Sequence, residues 1–303
     1  MKIAATIGGM LAYKPVPADA VRCYKGTGFR YLDYDFGDVH LSDTPFMKDS
    51  DKEWKTVVED AGQAATDCGF QFVQAHAPCY NPLGESVNHA TSMRTMIRSV
   101  EACGMLGIRA IVVHTSISKT HIYPEAKDAY FAYNREFLRR ILEEAEKYGV
   151  IVCAENTSQK NMGDQYFPRT PEELNEFVDY VNHPLLKCCW DTGHSVMEGY
   201  GDQYELLKKL GSNLQAVHIH DNCGLKDQHI APYCGNLQMD SIIKGLIDID
   251  FPGYFTYEAH TFMNKQNGTG PVCRLPLELY QESTALLYKV AKFILETYGV
   301  FEE

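Results

Sequence analysis

Eight short apolar runs are spaced along the chain so that one helix fits between each consecutive pair: KIAATIG, YLDYDF, FQFVQAHA, AIVVHTS, VIVCAENT, LLKCCWDT, LQAVHIHD and YFTYEAH. Amphipathic stretches such as KEWKTVVEDAGQAATDCG, SMRTMIRSVEACGMLG and AYFAYNREFLRRILEEAEKYG fill the gaps. In the last of these Phe131, Phe137, Leu138, Ile141, Leu142 and Ala145 recur at helical spacing. Gly69, Gly107, Gly149 and Gly211 close helices where a left-handed residue is wanted, and RTPEEL and LPLELY open helices with proline in the first turn. Strand and helix alternating eight times predict an α/β chain folded as a parallel (β/α)8 TIM barrel. With no linker, low-complexity tract or composition break, one domain is expected over 1–303.

What the strands end on narrows the chemistry. Four of the runs reach an acid or histidine at their C-terminal edge: Glu155, Asp191 with His194, His218 with His220, and Glu258. In a parallel barrel all these edges lie on one rim, the face that carries active sites. A buried carboxylate without a partner is costly, few basic residues sit at these strand ends, and a divalent metal of the Mn, Mg, Co or Zn type answers the charge. His76 and His114 end the third and fourth strands, and Asp227 and His229 follow the seventh in KDQH. His218 and His220 share one strand face, as do Glu258 and His260. A single histidine at a strand end is commonly a satisfied polar residue, so His76, His114, His220 and His260 carry weight only as a group. Asp33 and Asp35 share a face of the second strand, with a structural role as the competing reading. Trp190, Tyr233, Tyr257 and Phe262 are candidates to stack on a sugar ring, with core packing as the competing role. Gly8-Gly9 suits a turn or a close approach to substrate.

Composition excludes several classes. The net charge is −12, and the basic clusters are as short as Arg139-Arg140, which solvate a helix face, so a nucleic-acid partner is not expected. No run is long and apolar enough to span a bilayer, and no secretory leader pattern opens the chain, which leads to the expectation of a cytoplasmic protein with no membrane partner. The ten cysteines are scattered without a CxxC pair and read as reduced thiols rather than a zinc–thiolate cluster. Nucleotide-binding GxGxxG, phosphate-binding GxxxxGKS and hydrolase GxSxG patterns are missing.

The motifs ENTS (155–158), WDTGH (190–194), HIHDN (218–222) with DQH (227–229), and YEAH (257–260) together resemble the xylose isomerase-like TIM barrels, the sugar-phosphate isomerase and epimerase superfamily, over essentially the whole chain. The resemblance implies that Glu155, Asp191, His218 and Glu258 hold one divalent ion. It implies that His194 contacts a substrate oxygen or a second metal. His76, His114, His194, Asp227 and His229 match the further ligand positions of the trinuclear zinc abasic-site endonucleases of the same superfamily, so more than one zinc is a possible complement. The ketose 3-epimerases of the family usually carry an arginine after the seventh strand; here DNCGLKDQH offers Lys226 instead.

These residues lead to the expectation of a metal-dependent isomerase or epimerase of a small sugar, sugar phosphate or polyol. Glu155 and Glu258 are expected to flank the substrate as proton acceptor and donor, and His194, His76, His114, His220 and Trp190 to contact it. A zinc-dependent abasic-site endonuclease is a competing expectation. A metal-dependent lyase or dehydratase, including a carbon-glycoside-cleaving subunit, is another. Homo-oligomerisation is left open.

Overall fold

A computed structural model describes residues 1–40, 43–84, 88–117, 125–162, 167–259 and 275–303. All eight expected strands form: β1 Ile3–Thr6, β2 Tyr31–Asp35, β3 Gln71–His76, β4 Ala110–Val113, β5 Ile151–Glu155, β6 Leu186–Asp191, β7 Leu214–His218 and β8 Phe255–Tyr257. From β1 to β7 each pairs in parallel with its sequence neighbours, and β1 also pairs with β8. Between β7 and β8 the ring is joined by one bridge, Ile219 with Tyr257. Ile219 N–H donates to Thr256 O at 2.8 Å, and Glu258 N–H donates to Ile219 O at 3.2 Å. The barrel therefore closes next to two of the candidate ligands.

Helices cover the outside. Those at Asp51–Cys68, His89–Leu106 and Lys127–Tyr148 end at Gly69, Gly107 and Gly149 in the left-handed conformation, as the sequence predicts. Gly211 differs: its φ of 52° comes with ψ of −134°, and it starts a short 3-10 turn. Thr170 and Glu173 form a reciprocal capping box ahead of the helix Pro171–Val181. The apolar stripe of Lys127–Tyr148, Phe131 to Ala145, is buried against the barrel. Among the described residues no helix is long and apolar enough to cross a membrane.

Period-two alternation decides what enters the barrel. Ala110, Val112, Cys153, Cys189 and Ala216 form an apolar cluster of their own, separate from the main core, inside β4–β7. Their neighbours Ile111, Val152, Ala154, Cys188, Trp190 and Val217 belong to the layer between strands and helices. A register shift between Cys188 and Cys189 brings Asp191 level with His218. A second, between Leu32 and Asp33, brings Asp35 level with His76.

Candidate metal centre

Glu155 is the last residue of β5, Asp191 of β6 and His218 of β7, and Glu258 follows β8. One ligand atom from each lies within 4.8 Å of those of the other three. Glu155 receives a contact on each oxygen. His218 Nδ1 is 2.7 Å from Oε1, and His114 Nε2 is 2.7 Å from Oε2. Asp191 is fully buried; its Oδ1 accepts from the His194 amide at 2.6 Å, capping the short helix Thr192–Met197, and its Oδ2 lies 2.9 Å from His220 Nε2. His194 and His229 approach one oxygen of Asp227, Oδ2, at 3.1 and 3.2 Å.

Three histidines have their ring nitrogens assigned by the backbone. His76 Nδ1 lies 2.7 Å from Ala77 O, His194 Nδ1 2.9 Å from Asn156 O, and His229 Nδ1 3.1 Å from Glu258 O. A carbonyl can only accept, so each Nδ1 carries a proton and Nε2 is the ring nitrogen left to meet a carboxylate or, once deprotonated, a metal. This is the arrangement that orients metal-ligating imidazoles.

The electrostatics point the same way. Burial pushes the Glu155 carboxyl up, but His218 and His114 outweigh it and hold the group well below the usual carboxylate range. Burial lowers His218, yet Glu258 and Glu155 lift it to about 9; His229, lowered by burial, is lifted to about 10 by Asp227 and Glu258. The imidazoles thus balance a set of carboxylates of which Glu155 and Asp191 are closed off from water. A divalent cation fits the same need: Glu155, Asp191, His218 and Glu258 would hold it, and its binding would release the imidazole protons.

Above the rim lies a cavity of about 740 Å³, walled on one side by Thr6, Gly8, Asp33 and Asp35 and on the other by His114, His194, His218 and Glu258. Glu258 is 19% exposed, whereas Glu155 is 1% exposed and, like Asp191, is not part of the cavity wall. Gly8 is needed for close approach: a Cβ there would sit 2.3 Å from Asp35 Oδ2.

The structure corrects several expected sugar contacts. Trp190 is fully buried on the outer face of β6, where its indole N–H donates to Gln203 Oε1 at 2.7 Å; it cannot touch a ligand in the barrel mouth. Tyr257 likewise packs outward, edge-on to Phe29 and Phe255. Tyr233 is exposed and off the cavity wall. His220 is fully buried, stacked on His229 with ring centroids 4.1 Å apart, and meets Asp191 rather than the cavity. It therefore positions ligands instead of substrate. His260 and Phe262 lie outside the described residues.

Two residues carry roles that the motifs alone did not reveal. Asn156 ties the ends of β5 and β6 together: its Oδ1 accepts from the Asp191 amide at 2.7 Å and its Nδ2 donates to Asp191 O at 3.0 Å. Its place directly after Glu155 in ENTS was the available signal. Cys79 stands three residues after His76 on the cavity wall.

A parallel barrel whose rim gathers carboxylates and imidazoles beneath an open cavity defines the class to which this chain should be compared. The chain belongs to the xylose isomerase-like TIM barrel family, whose model matches residues 22–289. It is 28% identical over 194 residues to an uncharacterized protein of Methanocaldococcus jannaschii, covering 61% of this chain and 64% of that protein. It is 24% identical over 152 residues to an inosose dehydratase of Clostridium perfringens, covering 44% and 50%. The chain thus spans between half and two thirds of the length of these relatives. Among solved structures, D-psicose 3-epimerase from Clostridium cellulolyticum, crystallised with D-tagatose, shares the fold with a TM-score of 0.70 at 17% identity, covering 97% of this chain and 99% of that one.

Proposed function

We propose that this protein is a divalent-metal-dependent isomerase or epimerase of a small carbohydrate or polyol. The observation that carries the reading is the convergence of Glu155, Asp191, His218 and Glu258 within 4.8 Å beneath an open cavity. Relatives named as an inosose dehydratase and a sugar epimerase support the substrate class.

A bound divalent ion would supply Lewis acidity toward adjacent substrate oxygens, lowering the cost of negative charge on an enediolate. The chain's own residues supply the proton transfers. Glu258 faces the cavity and takes the proton from the carbon beside the carbonyl; Glu155, from the floor, is its partner on the return. The Nδ1–H bond to Asn156 O fixes the His194 ring, so that its Nε2 orients a substrate hydroxyl. His114, on the cavity wall, makes a further polar contact.

A lyase or dehydratase is the second reading, and Asp35 favours it. Burial pushes this carboxyl above the ordinary range despite His76 nearby, which suits an acid that gives a proton to a leaving hydroxyl. The net charge of −12 argues against a DNA substrate.

The test is solvent deuterium uptake at the substrate carbon, screened over ketoses, ketose phosphates and inososes with Mn-loaded protein. Uptake with return of an isomer or epimer supports the leading reading. Uptake ending in loss of water supports the dehydratase. Turnover undiminished in Glu258→Gln removes Glu258 from the mechanism.

A further inference from the structure

The last helix, Leu277–Thr297, packs one face on the barrel and buries Tyr280, Leu287, Ala291, Ile294 and Leu295 there. Its outer face is not simply a solvated one. Leu279, Leu286 and Phe293 stand on it at intervals of seven, 44%, 46% and 65% exposed. Seven residues are close to two turns, so the three side chains form one stripe about 21 Å long. Exposed Glu282 and Lys289 lie between them on the same stripe. Among the described residues the ion pair along this helix joins Lys292 to Glu296, 3.7 Å apart, and leaves Glu282 and Lys289 unpaired. The helix Lys127–Tyr148, of similar length, differs: its outer charges Glu136, Arg139 and Glu143 are tied to one another within the chain.

We propose that this stripe is the contact between two copies of this chain, packed antiparallel about a twofold axis that passes Leu286. In such a self-complementary contact, residues equally far before and after Leu286 meet across the axis. Leu279 then meets the partner's Phe293. Glu282 falls within one residue of the partner's Lys289, about 1.5 Å along the helix. Symmetry repeats that ion pair on the other side of the axis. Parallel helices would instead set Glu282 on Glu282 and Lys289 on Lys289, like charges facing. The charge pattern therefore selects a second copy, antiparallel, as the occupant. One helix face, about 30 Å by about 10 Å, offers about 300 Å² per copy. That is below the about 800 Å² per partner of a standard stable interface, so the dimer is reversible, with a Kd of roughly 10–100 µM. None of the stripe residues borders the cavity, so the contact is separate from the candidate metal centre.

Sedimentation equilibrium of the full chain, from about 1 to about 300 µM, reads this association directly. The weight-average mass should climb from that of one chain toward that of two. Leu286→Glu, which sets two carboxylates on the axis, should weaken the dimer at least about tenfold. Glu282→Lys and Lys289→Glu should each weaken it about threefold or more, because each replaces two ion pairs by two like-charge contacts. The double exchange restores opposite charges across the axis and should return the Kd to within about twofold of wild type. All three positions face water, so circular dichroism should show every variant folded. A chain that stays monomeric over the whole range overturns the proposal. So does a dimer that Leu286→Glu leaves intact, which places the contact elsewhere. A dimer that neither single exchange weakens, or that the double exchange fails to rescue, overturns the antiparallel pairing and the proposal with it.

Discussion

The two arcs of the barrel interior are built differently. Inside β4–β7 the floor is the apolar cluster of Ala110, Val112, Cys153, Cys189 and Ala216, and directly above it stand Glu155, Asp191 and His218, all buried. Inside β8 and β1–β3 the floor is polar: Thr256 Oγ1 donates to Gln74 Oε1 at 3.4 Å, and Gln74 Nε2 donates to Asp33 Oδ2 at 2.8 Å. Burial raises the Asp33 carboxyl to about 7 even with His218, His76 and Gln74 opposing it, and its Oδ1 has no hydrogen-bond partner. The cavity opens over this second arc, toward Thr6, Gly8 and Asp35. Charges set over an apolar floor must be balanced by contact with imidazoles or a cation. The polar arc keeps room for a ligand. The difference separates two jobs, holding charge and meeting substrate, and the two glutamates fall on opposite sides of it.

The largest effects should come from exchanging those glutamates. Glu155→Gln, on the closed arc, should lower metal affinity and turnover together by ~100-fold or more, since it removes a buried charge that both ligates and balances. Glu258→Gln, on the open arc, should cost turnover by ~100-fold while metal affinity, measured by calorimetry, changes far less. Equal losses of metal in the two variants would erase the distinction between the arcs.

His194→Ala is expected to raise KM by about tenfold with a smaller change in kcat, the signature of a lost substrate contact. A loss of bound metal at unchanged KM would move His194 to the ligand side. Next in size is Gly193→Ala. A Cβ at this position would meet His220 Cε1 at 2.0 Å, forcing the ring off Asp191, and thermal or urea unfolding should show a loss of about 1–3 kcal/mol. Trp190→Phe should cost about 1 kcal/mol for the lost bond to Gln203 and leave KM unchanged. A raised KM would restore the stacking role that burial denies it.

The barrel was legible because its strands are apolar runs too short to be helices, and the rim because carboxylates at the ends of such runs demand a partner. The outward place of Trp190 is encoded in the strand itself. Trp190 neighbours Asp191 in a strand, and period two sends neighbours to opposite faces; the same holds for Tyr257 beside Glu258. His220 is different. Alternation from His218 holds only while the strand continues, and β7 ends at His218, after which the chain turns His220 onto Asp191 and His229. Asn156 and Cys79 act through contacts between loops, Cys79 through Gly37 forty-two positions earlier, and no local spacing encodes that approach.

The central claim is that four rim residues hold one divalent ion, and anomalous scattering from Mn-loaded crystals tests it most directly. One strong manganese peak is expected within coordination distance of Glu155, Asp191, His218 and Glu258 together. Fully loaded crystals with no manganese peak among these four side chains, or with the side chains spread beyond a shared ion's reach, would contradict it.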